Sequence, residues 1–383
     1  MRNTLILISF LAFAAVLFGV NYFFRPFAPR NQVDLAQITP TPKPTPTPSV
    51  DETAKAALTR IFMVPLIITP ETKEVLPSWI GQNKPAAVVI YGSNVDLPTI
   101  DSIKEKLALL EDPIARENKV MLATVFDGGE NQALSGEGFT PLPSWQQLCR
   151  QNLPKTKTLL ASAAAELAEA NIDMVLSPSL DLSYAPSSAT ETTCSSNPQK
   201  VIQYSQAFIK AMDQWGILSV AKHFPGVGKL KVPLNQEFSV ISVTKNDLLP
   251  FKDLLETTSQ TTNQRAVMVS LAGVKQSGGG ACALTKECVD QVINASDHVL
   301  IVSDDLSQKA AFYDPETKDY TKSLGEVAYE AVMAGNNLLY FGRNLSYNEL
   351  DQALDYLAKK YQTDPMFKAK VEVSRGLVNQ VMY

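Results

Sequence analysis

Histidine is scarce in this sequence: the chain of 383 residues holds only two, His223 and His298. This scarcity nearly excludes histidine-rich metal sites. The four cysteines lack the CxxC spacing that is typical of zinc sites, so we expect neither a metal nor another cofactor. Basic residues are not in excess, since the formal net charge is −5, and nucleic acid is therefore not an expected partner.

The longest apolar run lies near the N-terminus, from Leu5 to Phe24, and arginines flank it on both sides. About 20 such residues suffice to cross a bilayer as a helix. A cleaved signal peptide is the alternative, but the run is long for one and no clear cleavage site follows. We therefore predict that residues 1–27 form a membrane anchor or, if they are cleaved, a signal segment.

Proline and threonine alternate from Thr39 to Pro48, within a segment that we assign to residues 28–57 as a linker. Such a tract forms neither helix nor sheet ladders and favours extended polyproline II. It predicts a semi-rigid stalk that holds a domain away from a membrane. We expect a single-pass protein of the cell membrane whose main domain faces the extracytoplasmic side, or a secreted one if the segment is cleaved.

Short apolar runs alternate with helical patterns over residues 58–383, a pattern typical of a parallel sheet with helices on both faces. Eight units predict an α/β fold, a (β/α)₈ TIM-type barrel in a single domain. An open doubly wound sheet is the alternative, weakened because no GxGxxG follows the first run. A final helix is expected after Asp364. The eight predicted strands are Ile61–Ile68, Ala86–Tyr91, Met121–Phe126, Asp173–Ser177, Leu218–Ala221, Ala266–Leu271, Val299–Ser303 and Asn337–Phe341.

Functional residues of such barrels lie just after the carboxyl ends of the strands. Carboxylates and one Lys-His pair follow four of the predicted strands here, in Phe126–Glu130, Ser177–Asp181, Lys222–His223 and Ser303–Ser307. Glycosyl transfer needs a carboxylate beside the anomeric carbon and a second group that handles protons. The rim therefore suits sugar chemistry, although an acidic pair such as Asp304-Asp305 also often caps a following helix.

Two strings at this rim resemble signatures of one enzyme family. Lys222-His223-Phe224-Pro225-Gly226-Val227-Gly228 resembles KHFPGHG, with Val227 in place of a histidine, and residues 303–307 resemble SDDLS. Both are signatures of the bacterial β-N-acetylglucosaminidases of glycoside hydrolase family 3. Further matches are Asp127-Gly128-Gly129 to DQEGG, residues 138–143 to GFTRLP, and residues 197–200 to DPQK.

The resemblance implies retaining hydrolysis of β-linked N-acetylhexosamine glycosides of cell-wall type. It implies that Asp304 is the nucleophile and that Lys222, His223 and Asp127 bind the sugar. Several family positions differ, since its sugar-binding Asp falls on Val125 and its acid/base His on Asn235. The partner Asp of that His falls on Pro233, and two family arginines fall on Glu130 and Thr192.

Asparagine does not transfer protons near neutral pH, so the acid/base role is open. Glu237 is the only candidate in the loop Lys229–Phe238. Two functions follow from this mixture: a hydrolase of altered or reduced activity, and a non-catalytic sugar-binding or scaffold protein at the cell envelope. Carbohydrate is the expected substrate or ligand in both.

The cysteines fall into two pairs in sequence. Cys149 and Cys194 follow predicted strands three and four, whose rim loops are neighbours, and Cys282 and Cys288 are six residues apart. An oxidising compartment would permit one or two disulfides. Free buried cysteines are the alternative.

Overall fold

The computed structural model describes residues 49–69, 76–92, 95–111, 119–185, 192–258, 265–296 and 299–382. Its centre is one sheet of eight parallel strands. The strands are β1 Phe62–Ile67, β2 Ala87–Tyr91, β3 Met121–Thr124, β4 Met174–Val175, β5 Leu218–Phe224, β6 Arg265–Val269, β7 Val299–Ser303 and β8 Leu339–Tyr340.

The sheet closes on itself. Each strand pairs with the next along the chain, β8 pairs with β1, and a parallel bridge between Val302 and Leu338 joins β7 to the start of β8. The predicted TIM-type (β/α)₈ barrel is therefore confirmed, and the open doubly wound sheet is excluded because the two ends of the sheet meet.

Strands β4 and β8 are shorter than predicted because side chains replace part of the ladder. The Asp173 Oδ2 atom accepts the Leu122 N–H at 2.8 Å, and the Asn337 Oδ1 atom accepts the Ile301 N–H at 2.9 Å. Both side chains lie at the start of their strands. They satisfy the neighbouring backbone without extending the regular pairing.

Helices surround the barrel, eleven of them α-helical among the described residues. They are α1 Val50–Thr59, α2 Ser78–Asn83, α3 Leu97–Ala108, α4 Trp145–Arg150, α5 Leu153–Glu169, α6 Pro198–Asp213, α7 Lys245–Thr258, α8 Lys286–Ile293, α9 Leu324–Ala334, α10 Tyr347–Thr363 and α11 Pro365–Met382. Helix α1 begins at Val50, ahead of the domain boundary expected at Leu58, and packs on α10.

Alternate side chains of the strands fill the barrel interior, as the period of two in a strand requires. The interior is built from small and flexible apolar residues, so layers of side chains interlock without a channel. Its fully buried members include Met63, Val89, Ala123, Met174 and Val220.

The amino ends of the strands are covered by the C-terminal helix. Val378 and Met382 of α11 pack against the interior cluster. Beside them the Arg60 guanidinium donates to the carbonyl oxygens of Lys84, Pro85 and Lys119 at 2.8–3.0 Å. The final helix predicted after Asp364 is thus confirmed, and functional groups are left to the opposite, carboxyl end of the strands.

The apolar run Leu5–Phe24, the Pro/Thr tract Thr39–Pro48 and His298 lie outside the described residues. Within the described part of the chain, no helix combines the length and apolar character needed to cross a bilayer.

Candidate active site

Lys222 and Asp127 form a buried ion pair at the carboxyl end of β5. The Lys222 Nζ and Asp127 Oδ2 atoms are 2.6 Å apart, and the two side chains are 7% and 2% exposed. Lys222 also donates to the Leu176 carbonyl oxygen, and the Ser177 hydroxyl donates to Asp127 Oδ1 at 2.9 Å. The structure thus brings these two predicted sugar-binding residues together, and two of the three ammonium donors are already used.

His223 pairs with Asp181, a carboxylate from the loop after β4. The His223 Nδ1 and Asp181 Oδ2 atoms are 2.8 Å apart. Asp181 Oδ1 accepts the backbone N–H of Val227 at 2.7 Å, so one carboxylate holds both the imidazole and the following turn. Burial lowers the pKa of His223, but the negative charges of Asp181 and Asp304 outweigh it and raise this pKa above the ordinary 6.5.

The turn that follows His223 depends on a glycine. A side-chain carbon at Gly228 would lie 1.7 Å from the Leu182 carbonyl oxygen, so only glycine permits this approach of the β4 and β5 loops. Gly228, the second glycine of the string, therefore serves to bring Asp181 against His223. The peptide bonds Ser177–Pro178, Lys222–His223 and Phe224–Pro225 are cis.

Asp304 follows β7 and is 4% exposed. Three N–H donors hold its carboxylate: Oδ1 accepts from the Asp305 backbone at 2.8 Å and from Gln308 Nε2 at 3.3 Å. Oδ2 accepts from the Leu271 backbone at 3.3 Å. The geometry matches that of a fixed carboxylate, and Asp304 forms no ion pair with a described residue.

Asp305 does not cap a helix, which is the alternative role that its sequence position offers. Its Oδ1 atom accepts the backbone N–H groups of Ser307 and Gly342, both at 2.8 Å, and so ties the loop after β7 to the end of β8. Burial raises the pKa of Asp305 to about 6, and the neighbouring Asp304 charge acts in the same direction.

The long loop after β5 is anchored at its base by Asp247 of α7. Lys229 Nζ lies 2.5 Å from Asp247 Oδ2, and the Tyr184 hydroxyl donates to Oδ1 at 2.7 Å. Lys229 also lies over the Tyr184 ring, 4.9 Å from its centroid. Burial, and then the adjacent Asp247 carboxylate, raise the pKa of Tyr184 to about 12. The phenol therefore acts as a donor at physiological pH.

The far end of this loop is held by the loop after β7. The Leu234 carbonyl oxygen accepts the Ala310 N–H at 2.9 Å. The Phe238 ring stacks on Tyr313 with centroids 4.3 Å apart, and its backbone N–H donates to the Tyr320 hydroxyl at 3.0 Å. These contacts fix where Asn235 and Glu237 lie.

A cavity of about 570 Å³ opens beside the loop. It is lined by Tyr91, Gly92, Val125, Glu130, Asn131, Gln132, Ala133, Pro233, Leu234, Asn235, Asp305, Gln308, Tyr340, Arg343 and Asn344. Four positions at which the chain departs from the family pattern therefore face one cavity. Glu237 is exposed and is not among the described residues that line it, so its acid/base role stays a prediction.

Two disulfides stabilise the rim, as the cysteine pairs predicted. Cys149 of α4 bonds Cys194 of the β4 loop, with Cα atoms 5.4 Å apart, and Cys282 bonds Cys288 across the β6 loop. Beside the first bridge the Trp145 Nε1 atom donates to the Ser179 carbonyl oxygen at 2.9 Å. The alternative of free cysteines is excluded, and the β4 loop that carries Asp181 is fixed to the β3 loop.

Sequence reasoning assigned no role to Asp181, Gln308 or Arg343. Asp181 was recognisable as a rim residue, because it follows a predicted strand. Arg343 follows β8 in the same way, but it belongs to no motif. Gln308 could be found only from its contact with Asp304.

Comparisons with known proteins agree with this architecture. The family model for the glycosyl hydrolase family 3 N terminal domain matches residues 53–374. A beta-hexosaminidase of Actinobacillus pleuropneumoniae is 28% identical over 244 residues, which are 61% of this chain and 68% of the relative. A beta-hexosaminidase of Photobacterium profundum is 30% identical over 232 residues, 59% and 66% of the two chains.

Solved structures show the same fold. The crystal structure of a beta-N-acetylhexosaminidase from Beutenbergia cavernae superposes with a TM-score of 0.72 at 20% identity, over 88% of this chain and 99% of that chain. The beta-N-acetylglucosaminidase from Thermotoga maritima gives a TM-score of 0.65 at 20% identity, over 85% and 67%. With the family model matching most of the chain, the protein belongs to glycosyl hydrolase family 3.

Proposed function

We propose that the protein hydrolyses β-linked N-acetylhexosamine glycosides with retention of configuration, at a reduced or altered rate. Asp304 would attack the anomeric carbon, and Lys222 and His223 would contact sugar hydroxyls. The observation that supports this proposal best is the Asp304 carboxylate itself, which is fixed by three N–H donors and forms no ion pair with a described residue. A carboxylate in this state is a competent nucleophile.

The expected reduction in rate follows from the cavity lining. Val125 offers no hydrogen bond to a sugar hydroxyl, and Asn235 carries no transferable proton. Glu130 brings a negative charge to the position where the family resemblance implies an arginine. These residues alter the contacts of the sugar without removing the nucleophile.

A non-catalytic sugar-binding protein is the second candidate, and one observation favours it. Two of the three donors of the Lys222 ammonium group are used by Asp127 and the Leu176 carbonyl oxygen, and its side chain is only 7% exposed. An ammonium group in this state stabilises the loops rather than a ligand. Binding would then rest on the amide-rich cavity.

A titration with N-acetylglucosamine, paired with an assay of 4-nitrophenyl N-acetyl-β-glucosaminide hydrolysis, separates the two candidates. A hydrolase should release 4-nitrophenol in the wild type, and Asp304→Asn should reduce the rate to background. The exposed Asp101→Asn variant on α3 is the matched control and should retain the wild-type rate. Saturable binding without release of 4-nitrophenol would favour the binding protein and contradict the hydrolase.

We also propose an extracytoplasmic location, with residues 1–27 as anchor and residues 28–57 as stalk. Support comes from the apolar run, from the Pro/Thr tract and from the two disulfides, which suit an oxidising compartment. Protease added to cells stripped of any outer barrier should release the barrel. A full-length protein in the cytoplasmic fraction would contradict the proposal.

A further inference from the structure

Among the described residues, Asp305 carries the carboxyl group that both borders the cavity and adjoins the candidate nucleophile. Its backbone N–H donates to Asp304 Oδ1 at 2.8 Å. Gln308 lines the same cavity and donates to the same Asp304 oxygen at 3.3 Å. Two residues of the cavity lining are therefore hydrogen-bonded to Asp304, which is not itself among the described residues of the lining.

Two backbone N–H groups, those of Ser307 and Gly342, hold the side chain of Asp305, and both bond Oδ1. A side-chain carbon at Gly342 would lie 1.9 Å from Oδ2, so the carboxyl group packs against a position that only glycine fits. The orientation of the Asp305 carboxyl group beside the cavity is thus fixed before any ligand binds.

Other candidates for proton transfer fit the cavity less well. Asn235 lines it but has no transferable proton, and Glu237 is exposed and outside the described lining. Glu130 lines it from the β3 loop but is itself exposed. The described lining contains two carboxyl groups, those of Glu130 and Asp305, and Asp305 is the one that is part-buried.

We propose that Asp305 is the acid/base catalyst of this protein, in place of the histidine that the family resemblance implies. The inference rests on the proposed hydrolase function. In the first step an Asp304 oxygen forms a bond to the anomeric carbon while the glycosidic C–O bond breaks. The electron pair of that bond stays on the leaving oxygen, which takes the proton of the Asp305 carboxyl group.

In the second step the Asp305 carboxylate takes a proton from water. The water oxygen forms a bond to the anomeric carbon, and the ester bond to Asp304 breaks with its electron pair returning to the Asp304 carboxylate. The sugar leaves as a hemiacetal, and both carboxyl groups regain their starting states.

The protonation state of Asp305 suits this role. Burial raises its pKa to about 6, so a substantial fraction carries the proton in weakly acidic solution. The charged group that acts on it is Asp304 in its own loop. The other charged and titratable groups that line the same cavity are Glu130 from the β3 loop, Arg343 from the β8 end, and the phenols Tyr91 and Tyr340. The acid form should be lost as the pH rises through about 6.

The test compares two leaving groups in the full-length wild type and in Asp305→Asn, Glu237→Gln and Asp101→Asn. Methyl N-acetyl-β-glucosaminide needs proton donation, and the 4-nitrophenyl glycoside needs little. For Asp305→Asn we expect a loss of about 10²–10⁴-fold on the methyl glycoside. On the 4-nitrophenyl glycoside it should still glycosylate Asp304, and sodium azide should restore turnover and give the β-glycosyl azide.

The pH dependence of the wild-type enzyme tests the role of Asp305 without a substitution that could disturb folding. Its kcat/KM for the methyl glycoside should fall above about pH 6, and that for the 4-nitrophenyl glycoside should not. Asn keeps the Oδ1 acceptor for Ser307 and Gly342, and Asp101→Asn should match the wild type on both substrates.

Wild-type turnover that Asp305→Asn retains on both substrates would overturn this inference and leave the hydrolase proposal intact. Azide rescue of Glu237→Gln instead of Asp305→Asn would do the same and assign the role to Glu237. A wild type that neither turns over nor glycosylates Asp304 would overturn the proposed function, and this inference with it.

Discussion

The rim of the barrel has two sides that differ in how their charges are satisfied. The paired side consists of Asp127, Asp181, Lys222, His223 and Asp304, which are nearly all buried and held by hydrogen bonds within the protein. The open side consists of Val125, Glu130, Asn235, Asp305 and Arg343, which border the cavity. Lys222, His223 and Asp304 of the paired side keep the residue types of the family signatures, whereas Val125, Glu130 and Asn235 of the open side depart from the family pattern.

This difference suggests which part of the chemistry is preserved. In the proposed mechanism, attack on the anomeric carbon depends on the paired side, where Asp304 lies, and Lys222 and His223 of the same side contact the sugar. Proton transfer and further sugar contacts depend on the open side, where Val125, Glu130 and Asn235 differ from the residue types of the family pattern. A site that keeps the proposed nucleophile while other substrate contacts differ supports altered chemistry more than loss of all chemistry.

Removal of one positive charge from each side should give the largest difference in stability between the two sides. Lys222→Met should lower the free energy of unfolding by about 3–5 kcal/mol, because it leaves the Asp127 carboxylate buried without its partner. Arg343→Met should change it by less than about 0.5 kcal/mol, since Arg343 is exposed and forms no ion pair with a described residue. Urea denaturation with intact disulfides measures both.

The double variant Asp127→Asn/Lys222→Met checks the cause. It removes both charges and should regain much of the stability that Lys222→Met loses. Equal losses in Lys222→Met and Arg343→Met would remove the distinction between the paired and open sides.

Substitution of Asp305 on the open side should have a smaller effect on the free energy of unfolding, and this effect should depend on pH. Its folded-state pKa of about 6 lies above the ordinary 3.8, so its contribution to stability is present below about pH 4 and is lost as the pH rises through 6. Asp305→Asn abolishes this loss. Between pH 4 and pH 7 the free energy of unfolding of the variant should therefore rise, relative to that of the wild type, by on the order of 3 kcal/mol.

Denaturation curves at several pH values measure this difference. A stability difference between Asp305→Asn and the wild type that stays constant from pH 4 to pH 7 would show that burial does not perturb this carboxyl group.

The sequence was sufficient to predict the barrel, because buried parallel strands appear as short apolar runs between helical patterns. All eight predicted strands are present, and β4 and β8 are shortened most, where Asp173 and Asn337 substitute side-chain oxygens for ladder bonds. Such local substitutions depend on the neighbouring strand and leave no trace in the periodicity of one segment.

The site was predictable in part. The rim rule located Asp127, Lys222, His223 and Asp304 because each follows a predicted strand, although β5 itself extends through Lys222 and His223 to Phe224. It did not reveal that Asp127 pairs with Lys222, or that Asp181 holds His223, since the partners are separated by 95 and 42 positions in sequence. The different environments of Asp304 and Asp305 likewise depend on Gln308, Ser307 and Gly342, which only the fold brings together.

The central claim is that Asp304 is a working nucleophile on a rim whose sugar contacts have changed. Acid-quenched intact-protein mass spectrometry, within seconds of mixing with 4-nitrophenyl N-acetyl-β-glucosaminide, tests it most directly. We predict a mass increase of one N-acetylhexosaminyl group, mapped by peptide digestion to Asp304 and absent in Asp304→Asn. Release of 4-nitrophenol without an adduct on Asp304, or an equal adduct in Asp304→Asn, would contradict the claim.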